Sequence, residues 1–234
     1  PTLYRQKPVR ALGTDRLRAV VVAEVDQSWR ALPGTEREIE VDALAIGYGF
    51  LPNVELAEML GCAMRWDAQG QAWFVACNPD LATSVEGVFA AGEITGIGGS
   101  ALALAEGRIA GIGAAEQAGL LTPGKAAALR RAPERRRARL AVFAAALNAL
   151  FGPRPGLWEG LGGETTICRC EEVAAATIGA TIDGGCTTLK GIKDWTRAGM
   201  GLCQGRMCRG LVTQMIATAT GVDAGQIPRP RVRP

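Results

Sequence analysis

The chain has 234 residues, 48% of them hydrophobic, with a formal net charge of +3 and no histidine. Length and apolar content suffice for one large or two modest domains with buried cores, while the small net charge and the absence of aromatic residues alternating with basic ones exclude a nucleic-acid surface. Without histidine there is no Ser-His-Asp or Cys-His nucleophile, no Rieske centre, no His-ligated haem and no His-bearing zinc site.

The chain opens at Pro1, without methionine and in what reads as sheet structure, and is read as part of something longer. Residues 16–26 (RLRAVVVAEVD) and 37–50 (REIEVDALAIGYGF) are β-branched and Ala-rich and are expected to be strands, with a Pro-Gly turn at Pro33 and Gly34 after the first. A short helix is expected over 54–61, a strand over 72–77 and a buried strand over 87–91. Residues 101–117 (ALALAEGRIAGIGAAEQ) are small, apolar and punctuated by glycine, which suits a helix packed close to its neighbours. LTPGK then breaks the pattern. Residues 126–151 form a basic-then-apolar helical stretch, expected to be interrupted at Pro133, and its arginines 130, 131, 135, 136, 137 and 139 offer either a docking face for a partner or a solvated one. A Gly/Pro-rich loop, FGPRPGLWEGLGG, leads to a cysteine module. The expected organisation is 1–122, an α/β portion; 123–163, a basic helical linker; 164–221, the cysteine module; and 222–234, a tail, extended and poorly ordered.

Cys168, Cys170, Cys203 and Cys208 come from two short segments separated by thirty-two residues. Cys168 and Cys170 flank Arg169, so in an extended segment both thiolates point to one side, and Glu171-Glu172-Val173 is expected to begin a helix. Cys208 falls at the start of the apolar helix 211–220, where unpaired N–H groups and the positive dipole end favour a thiolate. Glycines 199, 201 and 205 allow backbone N–H groups to approach inorganic sulfides. Four thiolates so arranged suit an iron–sulfur cluster, and a structural zinc site is the alternative. Seven cysteines is an odd number, which makes a disulfide framework a poor reading. Cys62, Cys77 and Cys186 are expected to be buried small hydrophobes.

The run TICRCEEV, followed by TTLKGIKDWTRAGMGLCQGRMC, resembles the BFD-like [2Fe-2S] domain over about residues 164–221. In that family a CxC pair and a later pair ligate one binuclear cluster in a small helical fold, so the resemblance implies Cys168, Cys170, Cys203 and Cys208 as ligands. The run TSVEGVFAAGEITGIGGSALALAEGRIAG, together with VDALAIGYGFLPN upstream, resembles the second FAD-binding segment of two-dinucleotide-binding flavoproteins of the pyridine nucleotide–disulfide oxidoreductase type. That resemblance implies Gly92 and Glu93 at the ribityl hydroxyls, and the helix start at Gly99, Ser100 and Ala101 at the pyrimidine end of the flavin. Two features depart from the pattern. Glu93 stands where the family has aspartate, and there is no glycine-rich turn after an N-terminal strand to hold a pyrophosphate; GIGGSA at 96–101 fits G-x-G-x-x-A only formally, since it follows an acidic turn.

The implied fold is α/β, the C-terminal part of a two-dinucleotide-binding flavoprotein followed by a small helical BFD-like domain. The order of modules resembles the α-type subunits of hydrogen cyanide synthase, opine oxidase and dye-linked proline or hydroxyproline dehydrogenases. This implies a [2Fe-2S] cluster and FAD, with NAD(P) open, and electron transfer beside a partner flavin subunit that oxidises an amino acid or amine; a further small electron-transfer subunit is compatible. An NAD(P)H-dependent, nitrite-reductase-like enzyme is the enzymatic alternative and a zinc-stabilised interaction module the other. Cations at Arg169, Lys190, Arg197 and Arg206 are expected to raise the cluster's potential by favouring its more negative reduced state. No apolar run approaches the roughly 20 residues that span a bilayer, so a cytoplasmic location is expected, with any contact with the inner membrane made through partners.

Overall fold

The computed structural model describes residues 2–229. Its first sheet is built around β2 (Ala19–Glu24), whose residues Ala19 to Ala23 are all buried. Unbroken burial of an AVVVA run, in place of alternation, means that both of its faces are covered. It pairs antiparallel with β1 (Gln6–Leu12) and β3 (Arg37–Glu40), placing Val20 opposite Ala11 and Ile39. Pro8, which has no N–H to give the ladder, lies at a register shift in β1.

The expected strand over 37–50 stops at Glu40. After Val41 donates to the Arg18 carbonyl, the described residues offer no neighbouring strand, and Ile46, Phe50 and Leu51 stand more than half exposed. A short helix, α1 (Glu55–Met59), follows, and then a hairpin of β4 (Met64–Asp67) and β5 (Ala72–Val75), in which Trp66 faces Trp73 with ring centroids 5.5 Å apart. Residues 87–91 do not form a strand; they make a single bridge, Ala82 to Phe89, flanked by the bonds from Thr83 N–H to the Val88 carbonyl and from Ala90 N–H to the Leu81 carbonyl.

Helix α2 (Ser100–Gln117) packs against α3 (Pro123–Phe151). The LTPGK segment is the start of α3, with Thr122 before it and Pro123 in its first turn, where a missing N–H costs nothing. Contrary to the expectation from sequence, α3 runs unbroken through Pro133. That proline is buried, and the helix is tied down on either side of it by Arg130, paired to Glu116 at 2.7 Å and Asp80 at 3.3 Å, and by Arg137, paired to Glu106 at 3.1 Å. Tertiary ties thus offset the roughly 3 kcal/mol that proline costs in a helix interior.

The loop after α3 is anchored to the first sheet: Gly156 donates to the Ser28 carbonyl at 2.8 Å and accepts from the Lys7 ammonium at 2.6 Å. The cysteine module then forms from a small hairpin, β6 (Thr166–Cys168) and β7 (Val173–Ala174), followed by α4 (Ala175–Asp183), α5 (Leu189–Thr196) and α6 (Arg209–Thr220). The expected helix at Glu171 is displaced to Ala175, because Glu172 turns left-handed (φ 53°) to close the hairpin. Ile178, Ile192 and Ile216 are the centre of the module's core, and Ile227 joins them. The segment 222–229 is therefore not an extended tail. It forms a 3-10 turn at Ala224–Gln226, capped by the Asp223 carboxylate accepting from Gly225 N–H at 2.8 Å; residues 230–234 lie outside the described residues. Among the described residues no helix is long and apolar enough to cross a membrane.

Candidate functional site

The four cysteines of the CxC and CxxxxC runs meet at one end of the module. Cys168 ends β6 and Cys208 precedes α6, and both are buried, at 1% and 3% exposure; Cys170, in the hairpin turn, is exposed, and Cys203 is half-buried. The loop between α5 and α6 carries its backbone to the sulfurs. Gly199 N–H donates to Cys168 Sγ at 3.4 Å. The N–H of Met207 does most to hold the Cys203 thiol below its usual range, and the Cys170 thiol and the N–H groups of Gly205 and Arg206 act in the same direction against the opposing effect of burial. Burial pushes the Cys208 thiol up to about 12, with Cys168 and Cys203 beside it adding to the rise. The loop between α5 and α6 therefore touches three of the four, Gly199 lying beside Cys168 and Cys208 and Gly201 beside Cys170, and it carries Cys203 itself.

The loop is shaped for this by residues that tolerate positive φ: Gly199 (85°), Gln204 (52°) and Gly205 (78°). At Gly201 even a methyl group would collide with Cys170. Among the described residues no three Cys, Asp or Glu side chains converge so as to hold a single metal ion. A binuclear cluster asks for a different arrangement, four thiolates spread around two irons and their bridging sulfides. Cysteines gathered around the 199–201 glycine turn, with Gly199 N–H donating to Cys168, supply that donor set.

The cations expected to tune such a cluster are mostly paired. Lys190 is bound by Asp194, Arg197 by Glu171 at 2.8 Å and Arg206 by Glu55 at 3.2 Å, leaving Arg169 exposed. The remaining cysteines lie apart from this site: Cys62 is buried against Thr83, Cys77 is half-buried with its thiol raised chiefly by burial, and Cys186 packs at the edge of the module's core.

The flavin-type residues fit their expected ligand only in part. Glu93 turns one carboxylate oxygen back onto its own loop, accepting from Gly98 N–H at 3.3 Å and Gly99 N–H at 2.8 Å. Gly92 N–H donates to Glu106 at 2.9 Å. The helix start at Gly99, Ser100 and Ala101 is exposed. Glu106 is the residue that sequence reasoning missed: 5% exposed, it also accepts from Thr95 Oγ1 at 2.9 Å and from Arg137, so it ties the 92–95 turn to α2 and α3. The available signal was a lone carboxylate in the apolar run ALALAEG.

Comparison with known proteins finds two families along the chain. Residues 166–218 match the BFD-like [2Fe-2S] binding domain, and residues 6–119 match the pyridine nucleotide-disulphide oxidoreductase family. Hydrogen cyanide synthase subunit HcnB of Pseudomonas aeruginosa is 33% identical over 232 residues, covering 99% of this chain and 50% of that protein. An opine oxidase subunit from Rhizobium meliloti is 36% identical over 203 residues, covering 85% of this chain and 43% of that protein. The chain therefore spans about half the length of the curated relatives it matches. The crystal structure of L-proline dehydrogenase from P. horikoshii superposes with a TM-score of 0.68 over 96% of this chain and 41% of that one, at 22% identity, a likeness of fold. Residues 6–119 are thus a pyridine nucleotide-disulphide oxidoreductase domain and residues 166–218 a BFD-like [2Fe-2S] binding domain, joined in one chain.

Proposed function

We propose that this chain is the FAD-linked, [2Fe-2S]-containing electron-transfer portion of a heteromeric amino-acid or amine dehydrogenase. The observation that carries the reading is the gathering of Cys168, Cys170 and Cys208 around the Gly199–Gly201 turn of the loop that bears Cys203, in a module joined to an oxidoreductase domain. When bound, the cluster supplies one-electron acceptance and the flavin exchange of electron pairs. The chain's own residues do the rest. Cys168 and Cys208, both buried, and the more exposed Cys170 and Cys203 would hold the cluster, with Gly199 N–H donating to the Cys168 sulfur. Gly92, Glu93, Gly99, Ser100 and Ala101 form the flavin end of a site whose pyrophosphate turn is not among these residues.

The partner in this reading is a separate flavin-containing subunit that oxidises the amino acid or amine, in a cytoplasmic assembly. Two of the similar proteins are themselves named as subunits. On α3, Arg130 and Arg137 are committed to internal ion pairs, whereas Arg131, Arg135, Arg136 and Arg139 are exposed and provide a basic face for that partner. Purified protein, prepared with and without air, should be reddish-brown and carry about two iron and two sulfide per chain. Stoichiometric zinc with no visible charge-transfer bands would overturn the reading.

A further inference from the structure

Helix α1 carries two carboxylates three residues apart, Glu55 and Glu58, on one face of a single turn. Both are paired with arginines from the other half of the chain. Arg206, which lies between Cys203 and Cys208, meets Glu55 at 3.2 Å, and Arg229 meets Glu58 at 2.5 Å. The second pair is the more enclosed, with side chains 17% and 14% exposed, and the Arg229 guanidinium lies over the Trp73 ring, 5.5 Å from its centroid. Around them Gln214 donates to Gln71 at 2.6 Å, and Gly225 lies so close to the Trp66 ring that a β-carbon there would strike it. A cavity of about 100 Å3 remains between the two halves, lined by Trp66, Trp73, Arg206, Arg209 and Arg229.

This contact is not explained as a simple stabiliser. Burial pushes the Glu58 carboxyl above its usual range against the pull of Arg229, and pushes the Arg229 guanidinium below its own. A buried pair of this kind gains little net stability, because desolvation offsets much of the attraction. What it does define is placement, since two fixed charges on one helical turn accept two arginines of the second domain in only one arrangement. One of those arginines belongs to the loop bearing two of the four clustered cysteines.

We propose that Glu55 and Glu58 are the docking platform that positions the cluster module on the oxidoreductase domain, with Glu55 acting on the cluster loop through Arg206. The action on the cluster rests on the functional reading above, whereas the docking does not. Glu55 and Glu58 are positioning residues, remote from any reacting atom. The test uses the 234-residue chain, with amide hydrogen exchange over 64–75 and 209–214, the cluster midpoint by redox titration, and metal content. Glu55→Arg and Arg206→Glu should each raise exchange in both segments by about tenfold, and the double reversal should return it to within about threefold of the parent. Glu58→Gln and Arg229→Gln, which leave the cluster loop untouched, should raise exchange in the same two segments. Glu55→Gln leaves the Arg206 charge uncompensated and should favour the reduced cluster by about threefold at fixed potential, a rise of about 30 mV at 59 mV per tenfold; Arg206→Gln should lower the midpoint. Unchanged exchange in the single variants, or a double reversal worse than either single one, overturns the docking. A midpoint unmoved by Glu55→Gln overturns the action on the cluster loop. Zinc in place of iron defeats the electron-transfer reading and leaves the exchange pattern to judge the docking.

Discussion

The two halves of this chain are complete to different degrees. In the cluster module every helix buries an isoleucine at or below 1% exposure, and all four candidate ligands arrive from within about forty residues of one another. In the oxidoreductase half the run from Leu44 to Leu51 lies exposed with no strand beside it among the described residues, and Glu93 turns back onto its own loop. The difference follows from how each site is assembled. A cluster can be held by one short hairpin and one loop, whereas a dinucleotide site needs a glycine turn brought from a distant part of a sheet.

The largest effect expected from this contrast is at Cys203. Cys203→Ser should lose the cluster and loosen residues 164–221, because the metal joins segments thirty-two residues apart in a small module, while Cys186→Ser keeps it; iron analysis with amide exchange checks this, and equal loss in both variants would remove Cys203 from the ligand set. On the other side, titrating FAD into the isolated chain and following flavin fluorescence should show weak binding or none. Charge-assisted phosphate contacts are each worth roughly 1.5–3 kcal/mol, so lacking several weakens binding by orders of magnitude, and tight stoichiometric binding would mean that this half holds a complete site. Glu106→Ala removes the carboxylate on which Gly92 N–H, Thr95 and Arg137 converge, and should cost about 3 kcal/mol in urea unfolding; a cost below about 1 kcal/mol would show that the turn before α2 does not depend on it. The smallest effect should come from Ile46→Ser, within about 0.5 kcal/mol in this chain because Ile46 is already 57% exposed. A loss near the roughly 2–5 kcal/mol of a core substitution would mean that the 41–54 segment is covered after all.

The same contrast governs what could be read from the sequence. The candidate cysteine site could be proposed from sequence because its cysteines, glycines and helix start are neighbours in the chain. The BFD-like resemblance and the strand within 16–26 were legible for the same reason. Pro133 was misread because local rules break a helix there, and they know nothing of Arg130 and Arg137 tying α3 to distant carboxylates. The strand expected over 87–91 was apolar enough, but it has only one bridging partner among the described residues. Composition marked the segment after Gly221 as a loose tail, yet Ile227 completes the module's core and Arg229 finds Glu58, far back in the chain. The tuning cations were misjudged similarly: the sequence shows Arg206 beside two cysteines and gives no sign that Glu55 neutralises it.

The uneven burial of the four cysteines carries a chemical consequence. With these residues as ligands, water-borne oxidants and chelators meet Cys170 and Cys203 long before they reach Cys168 and Cys208. Leu202, 99% exposed, and Met207, 67% exposed, stand at that same edge, and they offer it no shelter while it faces solvent. Cluster decay in air should therefore begin from the outer pair, with Met207 open to sulfoxidation alongside it. Whatever covers that edge in the working assembly also sets the shelf life of the iron beneath it.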